Sequence, residues 1–235
     1  MRHGRIGFWY RFAVMVVKPI LLIFTKHRWR GAENLPREGG IIVAVNHISY
    51  VDPLTLAHFL YDNGRLPRFL AKSTLFDVPF LGRVCRETKQ IPVRRGTADA
   101  AGALTAAVDA LDEGECVLIY PEGTATRDPK GWPMVARTGV ARLALTTGKP
   151  VIPIAQWGAQ QILPYPTKRP HLLPRATIKV MAGPPVDLSR FAGKEQSSEV
   201  LREATDEIMA RITALLAEVR GEPAPDVAFD PRRAA

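Results

Sequence analysis

The sequence predicts a single α/β domain, with a mostly parallel central sheet flanked by helices and an amphipathic helical membrane-binding segment at the N-terminus. From Gly40 onward, short runs rich in β-branched residues alternate with helical stretches. Those runs are apolar on both faces, as strands covered by helices on each side require. The cationic excess lies ahead of them. The chain of 235 residues is 46% hydrophobic and 23% charged, which suits a packed globular domain and excludes collagen, coiled coil and global disorder. Two cysteines, Cys85 and Cys116, are too few for a disulfide framework or a zinc finger and suggest a reducing compartment. The net charge of +9 points to an anionic partner: nucleic acid, a membrane surface or a phosphorylated substrate.

Residues 1–37 hold eight Lys or Arg against one acid, Glu33, interleaved with an apolar stretch from Ile6 to Phe24. Arg11, Lys18 and Pro19 interrupt that stretch, which is otherwise about the 20 residues needed to span a bilayer. Residues 1–30 are therefore expected to lie in the interface as helix, with Trp9 and Tyr10 at the polar boundary. The alternative is a buried core helix with a basic rim.

Residues 31–221 form the expected α/β domain. Ile41 to Val45 reads as a buried strand, and Asp52-Pro53 opens a helix that ends at Asn63-Gly64. Residues 68–72 suggest a strand, 73–83 a short helical piece, 90–93 a strand end, and 97–113 an Ala-rich helix closed by Gly114. Strands at 116–120, 151–156 and 177–181 follow, with helices at 138–147 and 197–220. The tail, residues 222–235, has little to bury and is expected to be flexible.

Three clusters fall where predicted strands end, the usual place for reactive groups in α/β sheets. In Asn46-His47-Ile48-Ser49-Tyr50-Val51-Asp52, a carboxylate can fix the tautomer of His47 and leave its second nitrogen free as a general base; alternatively, Asp52 merely caps its helix. Tyr120-Pro121-Glu122-Gly123-Thr124 forms a turn that presents Glu122 and Thr124 to a hydroxylated or phosphorylated ligand, or an ordinary turn with a solvated acid. In Gln90-Ile91-Pro92-Val93-Arg94-Arg95-Gly96, paired arginines suit a phosphomonoester or make a solvated basic loop.

In this order, the blocks resemble the glycerolipid acyltransferases, especially the 1-acylglycerol-3-phosphate (lysophosphatidate) acyltransferases. The likeness covers roughly residues 30–185. Asn46-His47 with Asp52 is similar to the family's His, four residues, Asp block, and Ile91 to Arg95 to its arginine block, with Arg95 as the equivalent. Pro121-Glu122-Gly123 resembles the Pro-Glu-Gly block, Val151-Ile152-Pro153-Ile154 the last, proline-centred strand, and Lys72 a lysine near the phosphate. Two departures stand out: Ala125 and Thr126 separate Gly-Thr from Arg127, which the family commonly has next, and Pro92 replaces a usual aromatic residue.

The resemblance implies transfer of an acyl group from acyl-CoA or acyl carrier protein to the sn-2 hydroxyl of 1-acylglycerol 3-phosphate, giving phosphatidate without an acyl-enzyme. His47 and Asp52 would be catalytic. Asn46, Lys72, Arg95, Glu122, Gly123, Thr124 and Arg127 would bind substrate, with no cofactor or metal, on the cytoplasmic face of the membrane. Other readings are an acyltransferase for glycerol 3-phosphate, another lysophospholipid or a glycolipid, a thioesterase or hydrolase using water or Ser49, and a peripheral lipid- or nucleic-acid-binding protein. No nucleic-acid motif is recognised, and Ser49 lacks a Gly-x-Ser-x-Gly elbow.

Overall fold

The computed structural model describes residues 7–94, 99–167 and 169–232. Its seven strands are β1 (Thr25–Arg30), β2 (Ile41–Val45), β3 (Pro67–Lys72), β4 (Ile91–Val93), β5 (Cys116–Ile119), β6 (Val151–Trp157) and β7 (Ala176–Ala182). They form one sheet in the order β1-β7-β6-β2-β5-β3-β4. All neighbouring pairs are parallel except β6 and β7, which run antiparallel. The mostly parallel sheet read from the sequence is therefore present.

Alternation in β2 explains the layering. Ile41, Val43 and Val45 face one apolar cluster with Leu56, Phe59 and Leu60 of α2 (Asp52–Asp62). Ile42 and Ala44 face the other, with Ala107 and Leu111 of α4 (Asp99–Asp112), Val140 and Leu143 of α5 (Gly139–Thr147), and Ile208 and Ile212 of α7 (Ser198–Arg220). A strand buried on both faces needs apolar residues at every position. Capping sets the helix limits: Pro53 occupies the first turn of α2, and the Ser197 hydroxyl accepts the Val200 N–H at the start of α7. The remaining helices are α1 (Phe8–Phe24), α3 (Pro79–Glu87) and the short α6 (Ala159–Ile162).

Three expectations change. Residues 25–30, read as part of the N-terminal helical segment, form β1 and pair with β7 at the sheet edge. Thr25, His27 and Trp29 turn inward while Lys26, Arg28 and Arg30 are exposed, so the cations serve a strand rather than a helix. Outward charges of this kind protect an edge strand from pairing with another chain. The helical piece at 73–83 is instead a 3₁₀ turn, Ser73–Leu75, followed by α3 starting at Pro79. Proline has no N–H to donate and is tolerated in a first helical turn. The tail is tied down in part: Phe229 bridges Met134, and the Val135 N–H donates to the Phe229 carbonyl at 2.9 Å.

Candidate active site

β2 ends by delivering His47 to the carboxyl edge of the sheet, and α2 begins five residues later with Asp52. The turn between them brings the side chains together: His47 Nδ1 lies 2.8 Å from Asp52 Oδ2. The same oxygen accepts the backbone N–H groups of Ile48 at 2.6 Å and Ser49 at 2.9 Å. Asp52 is wholly buried, and its Oδ1 has no hydrogen-bond partner. With Nδ1 committed to the carboxylate, Nε2 on the far side of the ring is the nitrogen available to a ligand. The His47 ring stacks on Tyr120 at the end of β5, with centroids 4.3 Å apart and planes 24° apart. Burial pushes the Tyr120 phenol well above its ordinary range.

Glu122 organises this geometry without facing the ligand space. Its Oε1 accepts the His47 backbone N–H at 2.9 Å and its Oε2 the Met134 N–H at 3.0 Å. The expected substrate contact is therefore corrected to a positioning role: both oxygens are taken, and the side chain is buried. Burial pushes its carboxyl from 4.5 to about 8, with the two backbone donors pulling the other way. Its pKa is thus higher in the folded than in the unfolded chain. The stability linked to Glu122 is full below about pH 4.5 and is lost as pH rises through about 8. Gln at this position does not titrate. The melting temperature of wild type should therefore fall relative to that of Glu122→Gln as pH is raised from about 6 to about 9; a relative rise over that range would contradict the assignment.

Asn46 also moves out of the substrate-binding set. It is fully buried and exchanges hydrogen bonds with the backbone of Gln156 at 3.0 and 2.8 Å, while Gln156 Nε2 donates to the Asn46 carbonyl at 3.1 Å. These bonds fasten the end of β2 to β6. Ser49 is buried; its hydroxyl donates to the Leu163 carbonyl at 2.8 Å and accepts the Val51 N–H, so it is not poised as a nucleophile.

A cavity of about 1520 Å³ opens beside His47. Apolar side chains from α1, α2, α3, β3, α4 and α5 line most of it, including Val14, Leu54, Phe69, Val84, Leu104 and Leu143. Lys72, Gly123 and Thr124 line it too. Its described wall carries Lys18, Lys72, Arg137 and Arg142 and no carboxylate; Lys18 is neutralised by Asp62. Arg95 lies outside the described residues.

Arg127 is exposed and not part of the cavity wall. Its expected place among the ligand contacts is corrected by the conformation of the two residues before it. Ala125 and Thr126 fold inward and are buried; the Thr126 N–H donates to the His47 carbonyl at 2.7 Å and its hydroxyl to the Trp132 carbonyl at 2.7 Å. That anchoring carries Arg127 outward. Sequence reasoning missed Tyr120 as a platform for His47, Gln156 as the partner of Asn46, and Arg137. Only Arg137 left a signal, as a cation just ahead of a predicted helix.

The family model described as Acyltransferase matches residues 26–157, more than half of the chain. The chain belongs to this acyltransferase family. The match runs from Lys26 in β1 to the end of β6 and includes His47, Asp52, Lys72, Glu122, Gly123, Thr124 and Arg137. The acyltransferase is 28% identical over 209 residues to a 1-acyl-sn-glycerol-3-phosphate acyltransferase of Bacillus subtilis, covering 88% of this chain and 96% of that protein. It is 35% identical over 125 residues to a protein of the same description from Borreliella burgdorferi, covering 53% of this chain and 48% of the relative. The match thus takes in about half of the Borreliella protein's length. In fold, the acyltransferase is similar to the crystal structure of the 1-acyl-sn-glycerophosphate (LPA) acyltransferase PlsC from Thermotoga maritima. The TM-score is 0.63 at 23% identity, over 94% of this chain and 86% of that one.

Proposed function

We propose that this acyltransferase moves a fatty acyl group from acyl-CoA or acyl carrier protein to the sn-2 hydroxyl of 1-acylglycerol 3-phosphate, giving phosphatidate. The observation that carries the reading is the His47–Asp52 pair at the side of a large apolar cavity whose charged wall residues, among those described, are all cations. Apolar walls suit acyl chains and unpaired cations suit a phosphate. His47 Nε2 takes the proton of the acceptor hydroxyl as its oxygen attacks the thioester carbonyl. The C–S bond then breaks, and the departing thiolate recovers that proton from His47. A thioester is already activated, so the reaction as proposed uses no cofactor or metal. The thiols do not favour an acyl-enzyme route: burial raises both, Cys116 to about 12, and Ser49 is engaged with backbone.

Among the described residues, no helix is long and apolar enough to cross a membrane. Peripheral attachment on the cytoplasmic face, where the thioester donors are dissolved, fits α1. One side of this helix walls the cavity through Tyr10, Ala13, Val14, Val17 and Leu21, while Met15, Val16, Ile20 and Ile23 on the other side are exposed. Phe80 of α3 packs edge-on against Trp9 and Phe12, and with Val78 it extends the bare apolar surface. Arg11 and Arg83 supply charge for anionic headgroups; Arg83 also lies over the Trp9 ring at 4.8 Å. Replacing Met15, Ile20 and Ile23 together by Ser should shift the protein to the supernatant when anionic vesicles are sedimented. Undiminished co-sedimentation would place the attachment surface elsewhere.

The decisive assay supplies radiolabelled acyl-CoA with 1-acylglycerol 3-phosphate, glycerol 3-phosphate, neutral lysolipids and a glycolipid acceptor in parallel. Labelled phosphatidate is expected from the first alone. Transfer only to a different acceptor, or release of free fatty acid without transfer, would overturn the reading.

A further inference from the structure

We infer that Arg137, rather than Arg127, supplies the guanidinium that recognises the acceptor's phosphate. The inference rests on the acceptor proposed above and assigns one residue of this chain to it. Arg137 lies two residues before α5, and its backbone N–H donates to the Pro121 carbonyl at 3.0 Å, which ties it to the Pro-Glu-Gly turn. Its side chain lies across Gly123: a Cβ built there would sit 3.3 Å from Arg137 Nε and 3.4 Å from Cδ. Gly123 also adopts φ of +76°, which L side chains rarely accept, so the glycine makes the turn and leaves room for the arginine.

Two arginines, Arg137 and Arg142, line the described wall, and Arg137 is the one that lies against the Gly123 turn. It lines the cavity with His47, Lys72 and Thr124, and no carboxylate among the described residues pairs with it. Lys18, in the same wall, is already neutralised by Asp62. Arg127 is exposed outside the wall, carried there by the buried Ala125 and Thr126. A planar guanidinium can offer two parallel donors to a phosphate, which the ammonium of Lys72 cannot. The position also suits the chemistry. A phosphate held between Lys72 and the Gly123 turn would lie in the compartment that contains His47, with the acceptor's apolar chain free to enter the rest of the cavity.

The test measures equilibrium binding of 1-acylglycerol 3-phosphate and of the matching neutral 1-acylglycerol to wild type, Arg137→Ala, Arg137→Lys and Arg127→Ala. Arg137→Ala should weaken binding of the phosphorylated lipid by about 10- to 100-fold, as loss of charge-assisted hydrogen bonds implies. It should leave the neutral lipid unaffected, whereas Arg137→Lys should recover part of the loss and Arg127→Ala should match wild type. Equal weakening of both lipids by Arg137→Ala would make its role structural and overturn the assignment. So would unchanged binding of both, or a selective loss in Arg127→Ala. The proposed reaction is judged separately, because wild-type protein that binds the phosphorylated lipid and forms no phosphatidate would refute the reaction and leave the Arg137 result standing.

Discussion

His47→Ala is expected to lower kcat by about 10³-fold while the protein remains folded. Positioned general bases contribute roughly 10²- to 10⁴-fold, and the described wall of the cavity offers no other histidine beside the Gly123 turn. His58 also lines the cavity but belongs to a separate cluster with His27, Trp29 and Asp62, where burial lowers its affinity for a proton. Folding should survive the change because the anchors of this turn are mostly backbone. Glu122 accepts the N–H of residue 47, Thr126 donates to its carbonyl, and Asp52 keeps its bonds from Ile48 and Ser49. Steady-state kinetics with 1-acylglycerol 3-phosphate, together with a thermal melt, check both halves. A variant that retained more than about a tenth of wild-type kcat would remove His47 from the proton transfer.

Asp52→Asn should separate catalysis from stability. Asp52 Oδ2 accepts three hydrogen bonds, and an amide oxygen in its place can accept the same three. Oδ1 is buried with no partner, so the wild-type carboxylate carries charge that its surroundings satisfy incompletely. In the proposed transfer that charge would be best compensated as His47 becomes an imidazolium. Asparagine removes the compensation. We expect kcat to fall by about 10²-fold or more with the melting temperature unchanged or raised. A large loss of stability with kcat preserved would instead mean that Asp52 serves only as a helix cap.

The sequence made the sheet legible because β2, β5 and β6 are apolar at nearly every position, a pattern that only burial on two faces requires. The pairing of His47 with Asp52 was readable for a related reason: a strand end and a helix start separated by a short turn have few ways to be arranged. β1 was hidden because its three outward cations continue the basic run of the N-terminus, and alternation over six residues is a weak signal beside it. Direction was the other limit. Glu122 and Asn46 have side chains suited to holding a ligand, yet both are turned toward backbone partners, and only tertiary packing decides that. The two residues between Thr124 and Arg127 show the same limit, since their inward fold moves Arg127 away from a cavity wall that carries Arg137 and Arg142 instead.

Direct transfer assisted by His47 is tested most closely by a rapid-quench experiment with radiolabelled acyl-CoA. The enzyme is mixed with the thioester alone, then with 1-acylglycerol 3-phosphate, and the protein and lipid fractions are counted at each time. The protein should carry no covalent label at any time, and phosphatidate should appear in a single phase once the acceptor is added. A labelled acyl-protein that forms before the acceptor arrives and decays into phosphatidate at the turnover rate would contradict direct attack.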